Sequence, residues 1–457
     1  MHDFDSIVIG AGQAGPAMAE KLAKAGERVA LIERHLMGGT CVNNGCMPTK
    51  AMVASAYAAH LAREGARFGV SVGSLNIDWA GVHAHKEAVV QTARGNVTRW
   101  MENTPGVSVI RGHARFTSPN SLDVDGSQLT ARRFFINVGA RAVVPPLPGI
   151  EKVRVLTNAD IMDVDRVPEH LLVIGGSYIG LEFAQIFRRL GASVTVIERF
   201  PQIIAREDPD VIAAVHNILT GEGIEIHTGI EDLVFLSGEP IRYTFTDAEG
   251  NKREAVASHV LAATGRRPNT DDLGLETTGI TPDARGIIPV DDMCRTSVPH
   301  IWALGEVNGR GAFTHTAYND FEIVSDNLLA GKSRKVTDRH PCYALFVDPP
   351  LGRIGMTEAA ARATGRPILV GKRMMTRVGR AVESGETRGF MKIVIDAENR
   401  TILGATVLGF RGDEAVQTLL APLYTGMTID AIMGVVGIHP TVSELLPYAI
   451  AAAVPAP

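Results

Sequence analysis

One pattern occurs twice in this chain: a short apolar strand, a glycine-rich turn, a helical stretch, and a second apolar strand that ends in an acid. The first copy runs from Ser6 to Gly10, through Gly10-Ala11-Gly12-Gln13-Ala14-Gly15, a helical stretch from Pro16 to Ala25, and a strand from Arg28 to Glu33. The second has a strand from Leu171 to Ile174, the turn Gly175-Gly176-Ser177-Tyr178-Ile179-Gly180, a helix from Leu181 to Leu190, and a strand from Ser193 to Glu198. Strand, turn, helix and strand in this order make a β-α-β unit, with parallel strands and the helix on one face. The fold class that follows is α/β, with two such units.

The turns say what the units hold. Gly10 makes the tight turn, Gly12 lets the backbone approach a pyrophosphate, and Gly15 lets the helix pack close, with the helix N-terminus facing the phosphates. Glu33, at the end of the second strand, can accept hydrogen bonds from both ribose hydroxyls. In the second copy Ser177 stands where the second glycine belongs, a small residue at the point of closest backbone approach. Two dinucleotides in one active site are therefore expected, the alternative for the second copy being a β-α-β unit that holds no ligand.

Just beyond the first unit lies Gly39-Thr40-Cys41-Val42-Asn43-Asn44-Gly45-Cys46-Met47-Pro48-Thr49-Lys50, which contains two of the chain's four cysteines. Their C-x4-C spacing lacks the C-x2-C pairs of a structural zinc site, so no metal ligands are assigned. Both sulfurs can lie on one turn and close a small ring, with Gly39 and Gly45 relieving backbone crowding. This reads as a redox disulfide set against a bound cofactor; the alternative is two cysteines packed as small hydrophobes. Cys294 and Cys342 have no close partner in sequence and are read as structural.

At 457 residues the chain is too long for one core, and two to four domains are expected. A formal net charge of −5 without basic runs argues against nucleic acid as a partner. No apolar stretch reaches the ~18 residues of a membrane span. Met1-His2-Asp3-Phe4-Asp5 leads straight into a strand with no leader pattern, and few cysteines suit the reducing cytoplasm, where a disulfide is more often catalytic than structural. Pro145-Pro146-Leu147-Pro148-Gly149 reads as an inter-domain crossing and Ala262 to Asn269 as the return. The expected division is 1–147, 148–269, a return segment 270–339 that rejoins the first domain, and a C-terminal α+β domain over 340–457. That last domain shows strands Lys392 to Ile395 and Ile402 to Leu408, two helical stretches, and a featureless tail after Ile450.

End to end, the chain resembles the class I pyridine nucleotide–disulfide oxidoreductases, the family of glutathione reductase, dihydrolipoamide dehydrogenase and mercuric reductase. The resemblance rests on the Gly39-to-Lys50 run, Tyr178-Ile179-Gly180-Leu181-Glu182, Ala263-Thr264-Gly265-Arg266-x-Pro268-Asn269, Ile301 to Glu306, and His439-Pro440-Thr441-x-Ser443-Glu444. It implies FAD in the first unit, NAD(P)H in the second, and a C-terminal dimerisation domain forming a homodimer whose active sites are built from both subunits. It also implies that NAD(P)H delivers a hydride to one flavin face and that electrons leave the other for a disulfide. Cys46 is then the sulfur against the flavin and Cys41 the outward sulfur that meets substrate. Lys50 sits by the flavin ring with Glu182 as its counter-charge, and Tyr178 is the aromatic lid of the nicotinamide pocket. Read without the resemblance, Lys50 and Glu182 could be exposed helix charges and Tyr178 a core aromatic. The nucleotide-binding set gains Gly39, Thr40, Ala114, Glu306 and Thr314, with Gly175, Ser177, Gly180, Glu198, Arg199 and Gly265 toward the coenzyme. His439 and Glu444 supply the acid–base pair that thiol–disulfide exchange needs, in the partner subunit's site.

Three departures stand out. Glu306 occupies the family's aspartate position at the flavin ribityl chain. His315, after Thr314, is unusual at its helix start; it could tune the flavin or cap the helix, and reads better as a cap. The sequence carries no cysteine after Cys342, whereas mercuric reductase receives its metal at a C-terminal cysteine pair; wording such as Arg206-Glu207-Asp208-Pro209 still sits closest to that branch. Glu198 favours NADH and Arg199 could pair with a 2′-phosphate, which leans toward NADH with NADPH tolerated. The expected activity is reduction of a small disulfide, or oxidation of a dithiol. The alternatives are reduction of a thiophilic metal ion, and a redox-responsive flavoprotein or lipoyl-complex component that depends on a protein partner.

Overall fold

In the computed structural model, which describes residues 3–456, the first unit is a parallel sheet. Its strands run in the order Val107–Arg111, Val29–Glu33, Phe4–Ile9, Ser127–Ile136 and Ile301–Ala303. Every residue of Val29–Glu33 is buried, as in a strand covered on both faces. On one face the helix Ala14–Lys24 and the helix Thr314–Ala330 close a core around Met18, Leu22, Phe135, Trp302 and Phe321. On the other, Phe116, Leu122, Phe134 and Ile288 pack under the antiparallel strands Ala114–Ser118 and Ser121–Val124, which extend the early part of Ser127–Ile136. Ile301–Ala303 enters this sheet from far along the chain, so the segment after the second unit returns to the first.

The second unit is also parallel, in the order Glu225–Thr228, Ser193–Glu198, His170–Ile174, His259–Ala262, Val155–Leu156. Its helix, Tyr178–Leu190, starts three residues earlier than the sequence reading, directly after Ser177. Between the two units, Ala140–Ala142 on the way out pairs antiparallel with Arg266–Pro268 on the way back. One short ladder thus ties both crossings together.

The last part of the chain is an antiparallel sheet in the order Cys342–Leu345, Leu351–Gly355, Thr401–Leu408, Phe390–Asp396, Ile368–Met374, Val454–Pro455. Two sequence expectations fail here. The helical content comes as short pieces such as Glu358–Ala363, Leu420–Thr425, Ile429–Met433 and Leu446–Ala451: Gly426 and Gly434 end two of them, and Pro447 sits in the first turn of the last. The tail is not featureless: Val454 and Pro455 add an edge strand against Val370 and Leu369. The α/β class with a C-terminal α+β region holds. Among the described residues, no helix is long and apolar enough to cross a membrane.

Candidate active site

The cysteine run folds as two helices joined by a tight turn, Gly39–Asn43 and Cys46–Glu64. Gly45 is required between them, since a Cβ there would stand 2.7 Å from the Thr40 carbonyl oxygen. Cys41 and Cys46 are thiols in this structure, Cys41 half-buried and Cys46 exposed. Cys46 opens its own 19-residue helix, and its Sγ lies 3.2 Å from Oγ1 of Thr314, the first residue of another helix. The two thiols are electrostatically unlike. Cys46 is pulled down to about 6, first by the hydrogen bond from Cys41, then by Thr314 and the Lys50 ammonium, against the opposing effect of burial. Cys41 is pushed up by that same hydrogen bond and by burial. The contact thus favours the thiolate at Cys46 and the protonated thiol at Cys41.

Lys50, one turn along the same helix, pairs with Glu182 of the second unit, Nζ to Oε2 at 2.7 Å. The other carboxylate oxygen, Oε1, accepts from the Phe346 amide at 2.9 Å, and the Phe346 ring lies 4.4 Å from Lys50 Nζ. Glu182 is buried, so neither group is the exposed helix charge of the alternative reading.

His439 and Glu444 come together at the far end of the C-terminal region, where Nδ1 lies 3.1 and 3.2 Å from the two carboxylate oxygens. A carboxylate only accepts, so Nδ1 carries the proton and Nε2 is left as the basic nitrogen. Glu444 is itself oriented by the Thr441 amide, 3.1 Å from Oε1. The His439 side chain is 80% exposed in the single chain, beside Val436 and Ile438, which are 95% and 81% exposed.

Both glycine turns have the shape a pyrophosphate needs. A Cβ on Gly10 would meet the Asn137 carbonyl oxygen at 2.4 Å, and one on Gly15 the Gly10 carbonyl oxygen at 2.1 Å. Gly39 crowds Gly12 in the same way, at 2.7 Å from its Cα. The second turn repeats this: Gly175 would meet the Ala263 oxygen at 2.5 Å and Gly180 the Gly175 oxygen at 2.1 Å. The terminal acids repeat it too. Glu33 accepts from the amides of Ala11 and His35, both at 2.8 Å, and Glu198 from those of Gly176 and Phe200 at 2.7 and 2.9 Å. Each carboxylate keeps acceptor capacity for ribose hydroxyls. The residues present therefore fit FAD in the first cradle and a nicotinamide dinucleotide in the second.

The remaining sites are placed as follows. Thr40 lies in the short helix beside Gly39, and Ala114 is buried in the strand flanking the first sheet. Ser177 is exposed just before its helix, and its side chain does not cap it. Gly265 has φ +136 with open space where a Cβ would go. Arg199 is exposed and lies over the ring of Phe200 at 4.6 Å. Glu306 is held by Arg266, whose Nε lies 2.8 and 3.0 Å from its two oxygens, a partner the sequence reading did not give it. The cap assigned to His315 is a correction. Thr316 Oγ1 accepts from the Phe313 amide at 3.1 Å and does the capping, while His315 Nε2 donates to the Cys342 carbonyl at 2.7 Å. Cys294 is buried, and Cys342 opens a strand. The sequence reading also gave no role to Glu207, which accepts from the Tyr178 hydroxyl, or to Tyr343 and Arg353, which donate to the same carboxylate; no local signal marks such a long-range cluster.

Comparison with known proteins gives the family and the fold. Residues 4–320 match the family "Pyridine nucleotide-disulphide oxidoreductase", and residues 342–450 match its dimerisation domain. Mercuric reductase from Bacillus cereus is 31% identical over 450 residues, covering 98% of this chain and 71% of that protein. The probable pyridine nucleotide-disulfide oxidoreductase RclA of Escherichia coli is 33% identical, with 98% of each chain covered. The solved structure of the HOCl-induced flavoprotein disulfide reductase RclA from Escherichia coli superposes with a TM-score of 0.88 at 32% identity, covering 98% of this chain and 99% of that one, and its Cu(II) complex with 0.89 at 32% identity, covering 99% of each. The chain belongs to the pyridine nucleotide–disulphide oxidoreductase family, as an NAD(P)H-dependent flavoprotein disulfide oxidoreductase.

Proposed function

We propose that Cys41 and Cys46 carry electrons to a small disulfide, in a homodimer where His439 of one subunit serves Cys41 of the other. The carrying observation is the placement of the pair: the two cysteines flank one tight turn, with Cys46 Sγ 3.2 Å from Thr314 Oγ1 and one helical turn before the Lys50–Glu182 contact, surroundings that favour the thiolate at Cys46 and the thiol at Cys41. Bound FAD, held by the first glycine turn, Glu33 and the Glu306 region, supplies the two-electron relay between the pyridine nucleotide and the dithiol. A thiol held protonated needs a base before it can attack, and the free Nε2 of the partner's imidazole fills that need. Cys41 thiolate attacks the substrate disulfide, forming a mixed disulfide and expelling one thiolate, which takes the proton from the imidazolium. Cys46 thiolate then attacks Cys41 Sγ, closing the Cys41–Cys46 disulfide and releasing the second thiolate. Two electrons leave the protein and both substrate sulfurs are reduced.

The dimer is supported by the exposed apolar surface around His439 and by the match to a dimerisation domain. NADH is favoured by the buried Glu198 at the ribose position, with NADPH tolerated through Arg199. A cytoplasmic setting suits a dithiol that must be kept reduced. A second reading, reduction of a thiophilic metal ion at the same sulfurs, is favoured by the similarity to a relative solved as a Cu(II) complex.

The test is a panel of glutathione disulfide, lipoamide, Hg(II) and Cu(II), followed by NAD(P)H oxidation with Cys41→Ser and Cys46→Ser alongside. Disulfide turnover lost in both variants is the expected result. Turnover with metal ions alone moves the activity to the second reading, and wild-type turnover in both variants removes the cysteines from the reaction.

A further inference from the structure

Glu207 lies outside the motifs that carry the chemistry above, yet all four acceptor positions of its carboxylate are taken. The Tyr178 and Tyr343 hydroxyls donate to Oε1 at 2.9 and 2.7 Å. Arg353 donates to Oε2 through Nε and Nη2 at 2.8 and 2.6 Å. The Glu207 side chain is 0% exposed and that of Arg353 1%. Tyr343 and Arg353 are direct neighbours across two strands of the C-terminal sheet, whereas Tyr178 begins the helix of the second nucleotide-binding unit. A carboxylate of the coenzyme half, anchored by two side chains of the C-terminal sheet, thus grips a tyrosine of its own unit by the hydroxyl.

That grip fixes a ring. The Tyr178 ring meets Tyr343 edge-on at 5.6 Å, and Tyr343 stacks on Phe313 at 5.6 Å, one residue before the Thr314 that touches Cys46. A buried ion pair of this kind adds little net stability over a well-packed apolar pair, so stability alone gives weak reason for keeping it. Four charge-assisted hydrogen bonds on one carboxylate do give a unique orientation.

We propose that Glu207 is a positioning residue of the coenzyme site, holding the Tyr178 hydroxyl so that the ring is set in place before the nicotinamide arrives. The proposal rests on the reading of Tyr178 as the nicotinamide lid. Tyr178→Phe removes the donor and keeps the ring. Glu207→Gln keeps the shape but offers one acceptor oxygen instead of two, and places an amide donor toward either Arg353 or the tyrosines. Glu207→Asp keeps the charge for Arg353 while withdrawing the carboxylate from Tyr178.

The experiment is anaerobic stopped-flow reduction of the FAD-loaded enzyme by NADH and NADPH, against reduction of the same protein by dithiothreitol, with circular dichroism to confirm folding. Tyr178→Phe and Glu207→Asp are each expected to slow coenzyme-driven flavin reduction by about three- to tenfold, leaving reduction by dithiothreitol unchanged. The double variant should be no slower than the worse single one, because both break the same contact. Glu207→Gln, if folded, should behave likewise. Slowing by Tyr178→Phe but not by Glu207→Asp overturns the proposal, as do additive effects or equal slowing of both reductants. If only Tyr178→Ala slows the coenzyme reaction, the lid reading survives and the Glu207 anchor falls. If even Tyr178→Ala has no effect, the lid reading itself falls.

Discussion

Lys50 and Glu182 meet at 2.7 Å, joining the helix that carries Cys46 to the first turns of the second nucleotide-binding helix. The contact links the two glycine-cradle units beside the cysteine pair, as does Asn158 Nδ2, which donates to the Asn44 carbonyl at 2.7 Å. Glu182 is buried and Lys50 one-third exposed, so removing the acid strands an ammonium with partial access to water. Glu182→Gln should cost only about 1–2 kcal/mol of stability, well below the penalty for a fully buried pair. Its larger effect should fall on flavin reduction by NAD(P)H, which should slow by at least about tenfold as Lys50 loses its fixed place. Calorimetry and stopped-flow on one preparation separate the two. A large loss of stability with unchanged flavin reduction would make the pair purely structural.

The Cys46 environment makes a spectroscopic prediction. Its acidity is raised relative to a free thiol, so the thiolate exists above a pH of about 6 and is lost as pH falls through that value. In the two-electron-reduced enzyme, a long-wavelength thiolate-to-flavin charge-transfer band should follow the same course, full at pH 8 and fading with a midpoint near about 6. Thr314→Val and Lys50→Met each remove a stabilising partner and should move the midpoint upward. Cys41→Ser should retain a band, and Cys46→Ser should abolish it. A midpoint near that of an unperturbed thiol would contradict the arrangement.

How much of this was readable from sequence depends on the range of each contact. The two cradles, the cysteine turn and Lys50 lie in contiguous runs, where glycine spacing and helical phase are local properties. Glu182 and the His439–Glu444 pair were legible because their motifs survive intact. Arg266 against Glu306, and Glu207 among Tyr178, Tyr343 and Arg353, were not, because each joins segments brought together only by domain packing. His315 reads as a cap from its place at the helix start, but its imidazole reaches the Cys342 carbonyl, 27 residues along the chain, a contact no local pattern reveals. Val454 and Pro455 pair with Leu369 and Val370 because an edge of the sheet is open beside them, which composition does not reveal.

The proposed preference for NADH rests on Glu198. Its carboxylate is fixed by two backbone amides, so it cannot swing aside to admit a 2′-phosphate, and Arg199 beside it is exposed. The wild-type enzyme should show a higher kcat/KM with NADH than with NADPH. Glu198→Ala should narrow that difference by about tenfold, mostly through KM for NADH and relief of repulsion toward NADPH. A strong wild-type preference for NADPH that survives the substitution would reject this role for Glu198.

The proposed sharing of the active site between subunits gives the most demanding prediction. His439 is oriented by Glu444 but stands 80% exposed in the single chain, with its basic nitrogen free and an apolar surface around it. In the proposed dimer the second subunit brings its Cys41 to this nitrogen. His439→Ala should leave flavin reduction by NAD(P)H intact and lower disulfide turnover by roughly 10²–10⁴-fold, the usual contribution of a general base. Glu444→Gln should cost less, since the imidazole remains but loses its orienting carboxylate. Mixing Cys41→Ser subunits with His439→Ala subunits should then restore part of the activity. In such a heterodimer one site combines an intact Cys41 with an intact partner histidine, and the other carries both lesions. Heterodimers confirmed by native mass spectrometry that recover no turnover would place His439 and Cys41 in one subunit's site, or remove the histidine from catalysis.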